Sequence, residues 1–387
     1  MIRSTNFPGL PLVKSYVIWN NKGGVGRTTL TYHMATEYAR INQSKTVLVI
    51  DLGTQPNASL ALLGSLEALN YLMSWETTVS FYLHLATSPF CFPCPENYLT
   101  RVSFFNAQIP GNIILLCGDS NLKMVGQSLD QTRNASNLCH WRDVASSVFY
   151  FIEGVKRIEA YNDLVVFIDT SPSFSVLTEM ALIAAERLII PVNADDFSQE
   201  ALKAVLYLVY GIIIDHYNMP VQFKFYNAPL TFNDKARMLN LRLPKIHLVI
   251  NNRVTMYASS PAKAFGLMGD SILQVLRYAF KIYPWRFAYR ELICFNPAED
   301  PMRDYFEVFP DLHTVGIVAP HTGCPLANFF YLNVPFLGET IQLNRSQINC
   351  YLQSLQRLVE KLWIGVMWGN PDSGILAIFT CGIRITG

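Results

Sequence analysis

No apolar run in this chain is long enough to cross a bilayer; the longest, Ala204 to Ile214, reads as a buried helix. No secretory signal pattern is read at the N-terminus, and the eight cysteines follow no regular framework, so the expected compartment is a reducing cytoplasm. Charge of one sign is missing as well. With 30 Lys and Arg against 29 Asp and Glu, the formal charge is +1, which excludes polyanion binding by bulk electrostatics. Charged residues make up only 15% of the chain and hydrophobic ones 51%, the balance of a soluble protein with a sizeable core. At 387 residues, one large α/β domain or two smaller ones fit.

The charge that is present is unevenly spread. Residues 235–290 carry ten Lys or Arg against one acid, Asp270, a local +9 that leaves about −8 for the remainder. Tyr257, Tyr278, Phe280, Tyr283, Trp285 and Tyr289 interleave with these cations, a composition suited to nucleic acid or anionic lipid. Several separate solvated helix faces explain the same composition, and both readings stand. Cys91 and Cys94 have CxxC spacing but no second pair at zinc-ribbon distance. Cys117 and Cys139-His140 would have to be brought in by folding, so no metal site is expected at these thiols.

One stretch organises the chain. Trp19-Asn20-Asn21-Lys22-Gly23-Gly24-Val25-Gly26-Arg27-Thr28-Thr29 joins the apolar run Tyr16, Val17, Ile18 to a helical pattern. Phosphate-binding loops are built this way: glycines let backbone N–H groups converge on an anion, and the following helix aims its positive dipole end at the same point. The Thr28 hydroxyl falls where such loops bind Mg²⁺. The loop departs from the common form, with Asn21 for the first glycine, Arg27 for the lysine after Gly26, and an early lysine at Lys22.

Around it, residues 1–14 read as an irregular lead-in with Pro8, Gly9 and Pro11, and a first strand is expected at about 15–20. Leu30, Met34, Tyr38 and Ile41 place one apolar stripe on a helix from Thr28 to about Ile41. Lys45 to Asp51 and Leu164 to Asp169 are buried apolar runs, each ending in a carboxylate, as functional parallel strands do. Two such carboxylates beside a phosphate loop suit Mg²⁺, although Asp169 alone could also be a helix cap. Ile113 to Cys117, Leu188 to Val192, Ile246 to Ile250 and Val315 to Val318 are expected as further strands, and 70–112 as an irregular insertion of loops and short helices. The fold class implied is α/β, a doubly wound, mostly parallel sheet flanked by helices, with an insertion after the second strand. Ile348, Leu352, Leu355, Leu358, Val359 and Leu362 mark the buried face of a last helix. Residues 1–362 are expected to form a single nucleotide-binding domain. Residues 363–387 read as a loosely packed or disordered extension, since they lack a basic amphipathic helix and a membrane partner is not expected.

Together these residues resemble the ParA/MinD family of deviant-Walker P-loop ATPases, whose loop is typically KGGVGKTT against Lys22 to Thr29 here. Asp51 to Ser59 (DLGTQPNAS) is similar to the family's DLDPQGNAS, Asn162 to Val192 follows its third motif, and Leu248 to Arg253 (LVINNR) resembles its adenine-side strand. The resemblance covers roughly 15–65 and 162–362. It implies a SIMIBI-like P-loop NTPase fold and ATP with Mg²⁺ bound by 21–29: Asn21, Lys22, Gly23, Gly24, Val25, Gly26, Arg27, Thr28 and Thr29. Lys22 would be the signature lysine reaching phosphates across a nucleotide-sandwich dimer, and Arg27 the other catalytic cation. Thr28 would ligate the metal, Thr29 would contact the α-phosphate, and Asp51 and Asp169 would order the metal's water shell. Asn252 with Arg253 is the adenine-side assignment, with Asn251 an equally spaced competitor.

Two departures bear on turnover. Arg27 keeps a charge but is larger and planar, and Gly53 stands where the family has a second aspartate that orients the attacking water. Losing that carboxylate costs on the order of 10² to 10⁴ in rate. The expected function is therefore an ATP-binding dimeric switch with slow hydrolysis, acting in DNA or plasmid partition or in cargo positioning. It would bind non-specific DNA through 235–290 and meet a protein partner that stimulates turnover. The alternative is a hydrolysis-poor nucleotide-sensing interaction module.

Overall fold

In the computed structural model, the described residues are 14–88, 91–135, 138–161, 163–195, 197–214, 231–257, 260–288 and 300–363. The lead-in before Lys14, the extension after Trp363, and Tyr289 and Arg290 of the basic segment lie outside them.

The chain begins with β1 (Lys14–Ile18), α1 (Arg27–Ile41) and β2 (Val47–Leu52). After β2 come α2 (Asn57–Leu63) and α3 (Leu66–Ser74), then, within the expected insertion, α4 (Val79–Ala86) and the two-residue β3 (Thr100–Arg101) before β4 (Ile113–Leu116). Three helices follow, α5 (Leu122–Ala135), α6 (Leu138–Ala145) and α7 (Ser147–Lys156), then β5 (Val165–Thr170), α8 (Val176–Ala184) and β6 (Arg187–Asn193). α9 (Ser198–Tyr210), α10 (Phe232–Met238) and β7 (Lys245–Val254) come next, then a small hairpin of β8 (Met256–Tyr257) and β9 (Ser260–Pro261). The remainder is α11 (Lys263–Ile282), β10 (Phe306–Pro310), α12 (His313–Thr322), a hairpin of β11 (Asn333–Phe336) and β12 (Glu339–Gln342), and α13 (Arg345–Trp363).

Eight strands form one sheet in the order β10-β7-β6-β1-β5-β2-β4-β3. Every pairing in it is parallel except β3 with β4. Strand side chains alternate between faces. Val17, Leu48, Ile50, Val166 and Ile168 therefore join the core beneath α4 through α11. Tyr16, Ile18, Val47, Val49, Val165 and Phe167 join the core beneath α1, α2, α3, α12 and α13. β1 lies between β5 and β6, so the chain leaves it in one direction and later returns on the other side. That reversal makes the carboxyl end of β1 a topological switch point, the place where open α/β sheets bind ligands.

One expected strand is corrected. Val315 to Val318 lies inside α12. Val315, Val318 and Ala319 are buried at i, i+3 and i+4, the stripe of a helix, and a four-residue apolar run carries too few positions to separate the two periods. The edge strand here is β10, whose Glu307 and Pro310 disguise it in the sequence. The run Ala204 to Ile214 is helical only to Tyr210, where Gly211 takes a left-handed φ of 69° and ends α9. Among the described residues, no helix is long and apolar enough to cross a membrane.

Candidate functional site

β1 delivers the glycine loop to this switch point. Asn20 is fully buried and anchors the turn, donating from Nδ2 to the Pro191 carbonyl at 2.7 Å and accepting the Lys22 N–H at 3.0 Å. Gly24 and Gly26 adopt φ of 73° and 82°, a region that L side chains enter only at a cost. Gly26 is also the N-cap of α1, so the helix starts directly beneath the loop. Asn21, Gly23 and Gly24 are exposed, Val25 is buried, and Thr28 and Thr29 are half-buried at the first turn.

Arg27 turns inward. Its Nε donates to the Thr170 carbonyl at 3.2 Å, and its Nη1 donates to the carbonyls of Asn20 and Lys22, each at 2.7 Å. A planar fork suits this task better than a single ammonium. Arg27 thereby ties the loop to the end of β5. Burial lowers its pKa, and the nearby Asp169 charge opposes that shift. Lys22 forms an ion pair with Asp195 from the loop after β6, and its ammonium lies 5.9 Å from the centroid of the exposed Phe197 ring.

The two carboxylates sit side by side. β2 and β5 pair with Asp51 opposite Asp169, and the alternation of both strands puts them on the α1 face. Asp169 accepts from the Thr28 hydroxyl at 2.7 Å and from the Thr31 hydroxyl at 3.3 Å. Its pKa is raised by burial, against the lowering pull of the Thr28 bond and of Arg27. Asp51 is raised by burial and by the Asp169 charge. Both of its oxygens serve the next loop. Oδ1 accepts Gly53 N–H at 3.0 Å, and Oδ2 accepts the Ser59 N–H at 2.9 Å and the Ser59 hydroxyl at 2.8 Å. Gly118 closes the pocket, since a Cβ there would stand 2.8 Å from the Asp51 carboxyl carbon. Of the expected metal group, the structure joins Thr28 to Asp169 and commits Asp51 to holding the 53–59 loop.

Gly53 is enclosed as well. A Cβ would lie 2.8 Å from the Gln55 carbonyl oxygen and 3.0 Å from Asp51 Oδ1. Asn252 and Arg253, assigned to adenine by the resemblance, reach the glycine loop. Asn252 Nδ2 donates to the Val25 carbonyl at 2.8 Å, and Arg253 Nη1 donates to the Gly24 carbonyl at 3.3 Å. Asn251 points to the other face of the sheet, toward α11, where its Nδ2 lies 3.5 Å from the position of a Cβ on Gly269. Sequence reasoning missed Asn193, Asp195, Ser59 and Gly118. Ser59 stood in the quoted second motif, whereas nothing in a linear pattern marks the other three.

The donor set suits a hard cation shared with a phosphate. It offers a hydroxyl, a carboxylate and backbone N–H groups, and the space a Cβ would fill at Gly23 and Gly24 is open. Among the described residues, no three His, Cys, Asp or Glu side chains cluster as a metal cage.

Residues 13–223, over half of the chain, match the family model AAA_31, described as AAA domain. The cell division protein PomZ of Myxococcus xanthus is 29% identical over 203 residues, 51% of this chain and 53% of that one. Protein IncC of Escherichia coli is 24% identical over 201 residues, 52% of this chain and 46% of its own length. The chain thus spans about half the length of the curated relatives it matches. Among solved structures, the ATP complex of a substituted Cyanothece McdA gives a TM-score of 0.57 at 16% identity, over 92% of this chain and 99% of that one. The pnob8 ParA structure gives 0.52 at 15% identity, over 91% and 98%. At these identities, the structural likeness shows the fold.

Proposed function

This chain belongs to the AAA-domain family and is a P-loop ATPase of the ParA/MinD type, and from that premise we propose that it is an ATP-operated dimeric switch with slow turnover. On this reading, residues 1–362 act as one nucleotide-binding domain in the cytoplasm, and the output is partition or the positioning of a cargo. The observation that carries it is the Thr28 to Asp169 hydrogen bond at the mouth of a glycine loop that opens at the carboxyl ends of the strands.

The loop N–H groups of 23–29 would cradle the phosphates, and the start of α1 adds its dipole. Mg²⁺ would be held by the Thr28 hydroxyl and the nucleotide, with Asp169 acting through water, and when bound it neutralises phosphate charge. Lys22 would leave Asp195 to meet phosphate, the trade of one anionic partner for another. Slow hydrolysis follows from two features. Gly53 supplies no group to orient water, and Arg27 spends three hydrogen bonds on backbone carbonyls.

The output surface proposed is DNA. In 235–290, Arg237 and Arg277 are paired with Asp234 and Asp300, while Arg242, Lys263 and Lys281 remain exposed. Calorimetry with Mg-ATP, light scattering for dimers and DNA binding across a salt series test the reading on the intact chain. ATP binding that weakens at least tenfold in Thr28→Ala, with ATP-dependent DNA association that fades as salt rises, is expected. A chain that binds no ATP sinks the proposal, and one that binds ATP and dimerises without DNA shifts the output to a protein partner.

A further inference from the structure

The side chains at the ends of β6 and β7 converge on the outer edge of the glycine loop. In the β6 to β7 ladder, Asn193 stands opposite Asn252. Asn193 Nδ2 reaches the Gly24 carbonyl at 3.4 Å, Arg253 Nη1 reaches the same carbonyl at 3.3 Å, and Asn252 Nδ2 reaches the Val25 carbonyl at 2.8 Å. Asn252 is only 5% exposed, and its amide nitrogen would lie 2.3 Å from a Cβ on Gly26. The carboxamide is thus seated in the notch that a glycine with left-handed φ leaves open.

A peptide unit is planar and trans, so the carbonyl of one residue and the N–H of the next point in opposite directions. Holding the Gly24 carbonyl outward turns the Val25 N–H inward. Holding the Val25 carbonyl outward does the same for the Gly26 N–H. These two N–H groups belong to the cradle. With glycines at 23, 24 and 26, the loop has little stiffness of its own and loses more entropy than most segments when it is ordered. Side chains fixed on the rigid sheet can hold that order in advance.

We infer that Asn252, assisted by Arg253 and Asn193, is a positioning residue that presets the phosphate loop through the Val25 and Gly24 carbonyls, and that it does not read the nucleotide base. The inference rests on the nucleotide-binding reading above. Its consequence is specific: the penalty for losing Asn252 is the same whatever base the triphosphate carries.

The test measures binding of Mg-ATP, Mg-inosine triphosphate and Mg-tripolyphosphate to the intact wild-type chain, Asn252→Ala and Asn193→Ala. Thermal unfolding establishes that each variant is folded. Inosine triphosphate replaces the 6-amino donor of adenine with a carbonyl, and tripolyphosphate has no base. Asn252→Ala is expected to weaken all three about threefold to tenfold, the value of one hydrogen bond, and to leave the ratio of ATP to inosine triphosphate affinity unchanged. Asn193→Ala, which removes a longer and more exposed bond, should give the same pattern with a smaller factor. A loss confined to ATP, with the preference for ATP over inosine triphosphate abolished, overturns the inference in favour of base contact. Equal affinities in wild type and Asn252→Ala overturn it too, while leaving the nucleotide reading intact. A wild-type chain that binds none of the three overturns both.

Discussion

Gly53 lacks a side chain, but the loop around it does not leave room for one. A Cβ placed there would meet the Gln55 carbonyl at 2.8 Å, closer than real side chains approach backbone, so the 53–56 turn must shift to admit it. Gly53→Asp therefore does more than restore a carboxylate. Its first cost is a displaced loop whose Gly53 N–H is bonded to Asp51. The variant is expected to unfold at a lower temperature and to gain no more than a few-fold in ATP turnover. A gain of a hundredfold without loss of thermal stability would mean that the loop opens freely and that the missing carboxylate alone limits the reaction.

The placement of several expected residues was legible at this scale. Asp51, Asp169 and Thr28 could be read because each sits where a strand ends or a helix begins, and such positions leave marks in a linear pattern. The division of labour between the carboxylates could not be read. It depends on Ser59 and Gly53 filling both oxygens of Asp51, and on Thr28 facing Asp169. Asn252 was equally opaque. Its backbone position was visible in LVINNR, but its partner is a carbonyl more than two hundred residues away.

Among the elements, α1 departs most from its sequence. The spacing of Leu30, Met34, Tyr38 and Ile41 predicts one apolar stripe, yet every residue from Leu30 to Ala39 is buried while Ile41 is 46% exposed. α2, α12 and α13 share the sheet face with α1 and cover its outer side, so polar residues are enclosed with apolar ones. His33 is among them. Both of its ring nitrogens are buried without a hydrogen-bond partner, and the Tyr32 ring stands 5.1 Å away. Burial drives its pKa down to about 3. A histidine with an ordinary value near 6.5 in the unfolded chain takes up a proton there before the folded protein does. Its contribution to stability is thus full above about pH 6.5 and is lost as pH falls toward 3, by up to about 1.4 kcal/mol per pH unit. The buried carboxylates act in the opposite direction, since their raised values favour the folded state as they take up protons. The difference between wild type and His33→Gln isolates the histidine. Denaturant unfolding between pH 7 and 4.5 should show a stability difference that moves toward the variant as pH falls. A difference independent of pH would show that His33 takes up its proton as readily in the fold as in the unfolded chain.

Across the whole molecule, the site depends on packing far from it. Leu358 on α13 is fully buried in the core that also takes Leu30 and Met34 of α1, the helix that presents Thr28. Leu358→Ala should cost about 2 to 5 kcal/mol in denaturant unfolding, with ATP affinity largely kept in the fraction that remains folded. A loss below about 1 kcal/mol would mean that α13 is only loosely docked on this face.

The sequence by itself determined the glycine loop, the two strands with a carboxylate near their ends, and the alternation of strand and helix that makes the sheet parallel. These are local signals, carried by glycine conformations, apolar periods and residues at element ends. Tertiary structure decided that Val315 to Val318 is helical, that β10 takes the sheet edge, that α1 is enclosed from Leu30 to Ala39, and that Asn252 grips the loop. Each of those outcomes rests on which distant segments meet. Short apolar runs and single polar side chains carry no record of their partners until the sheet brings them together.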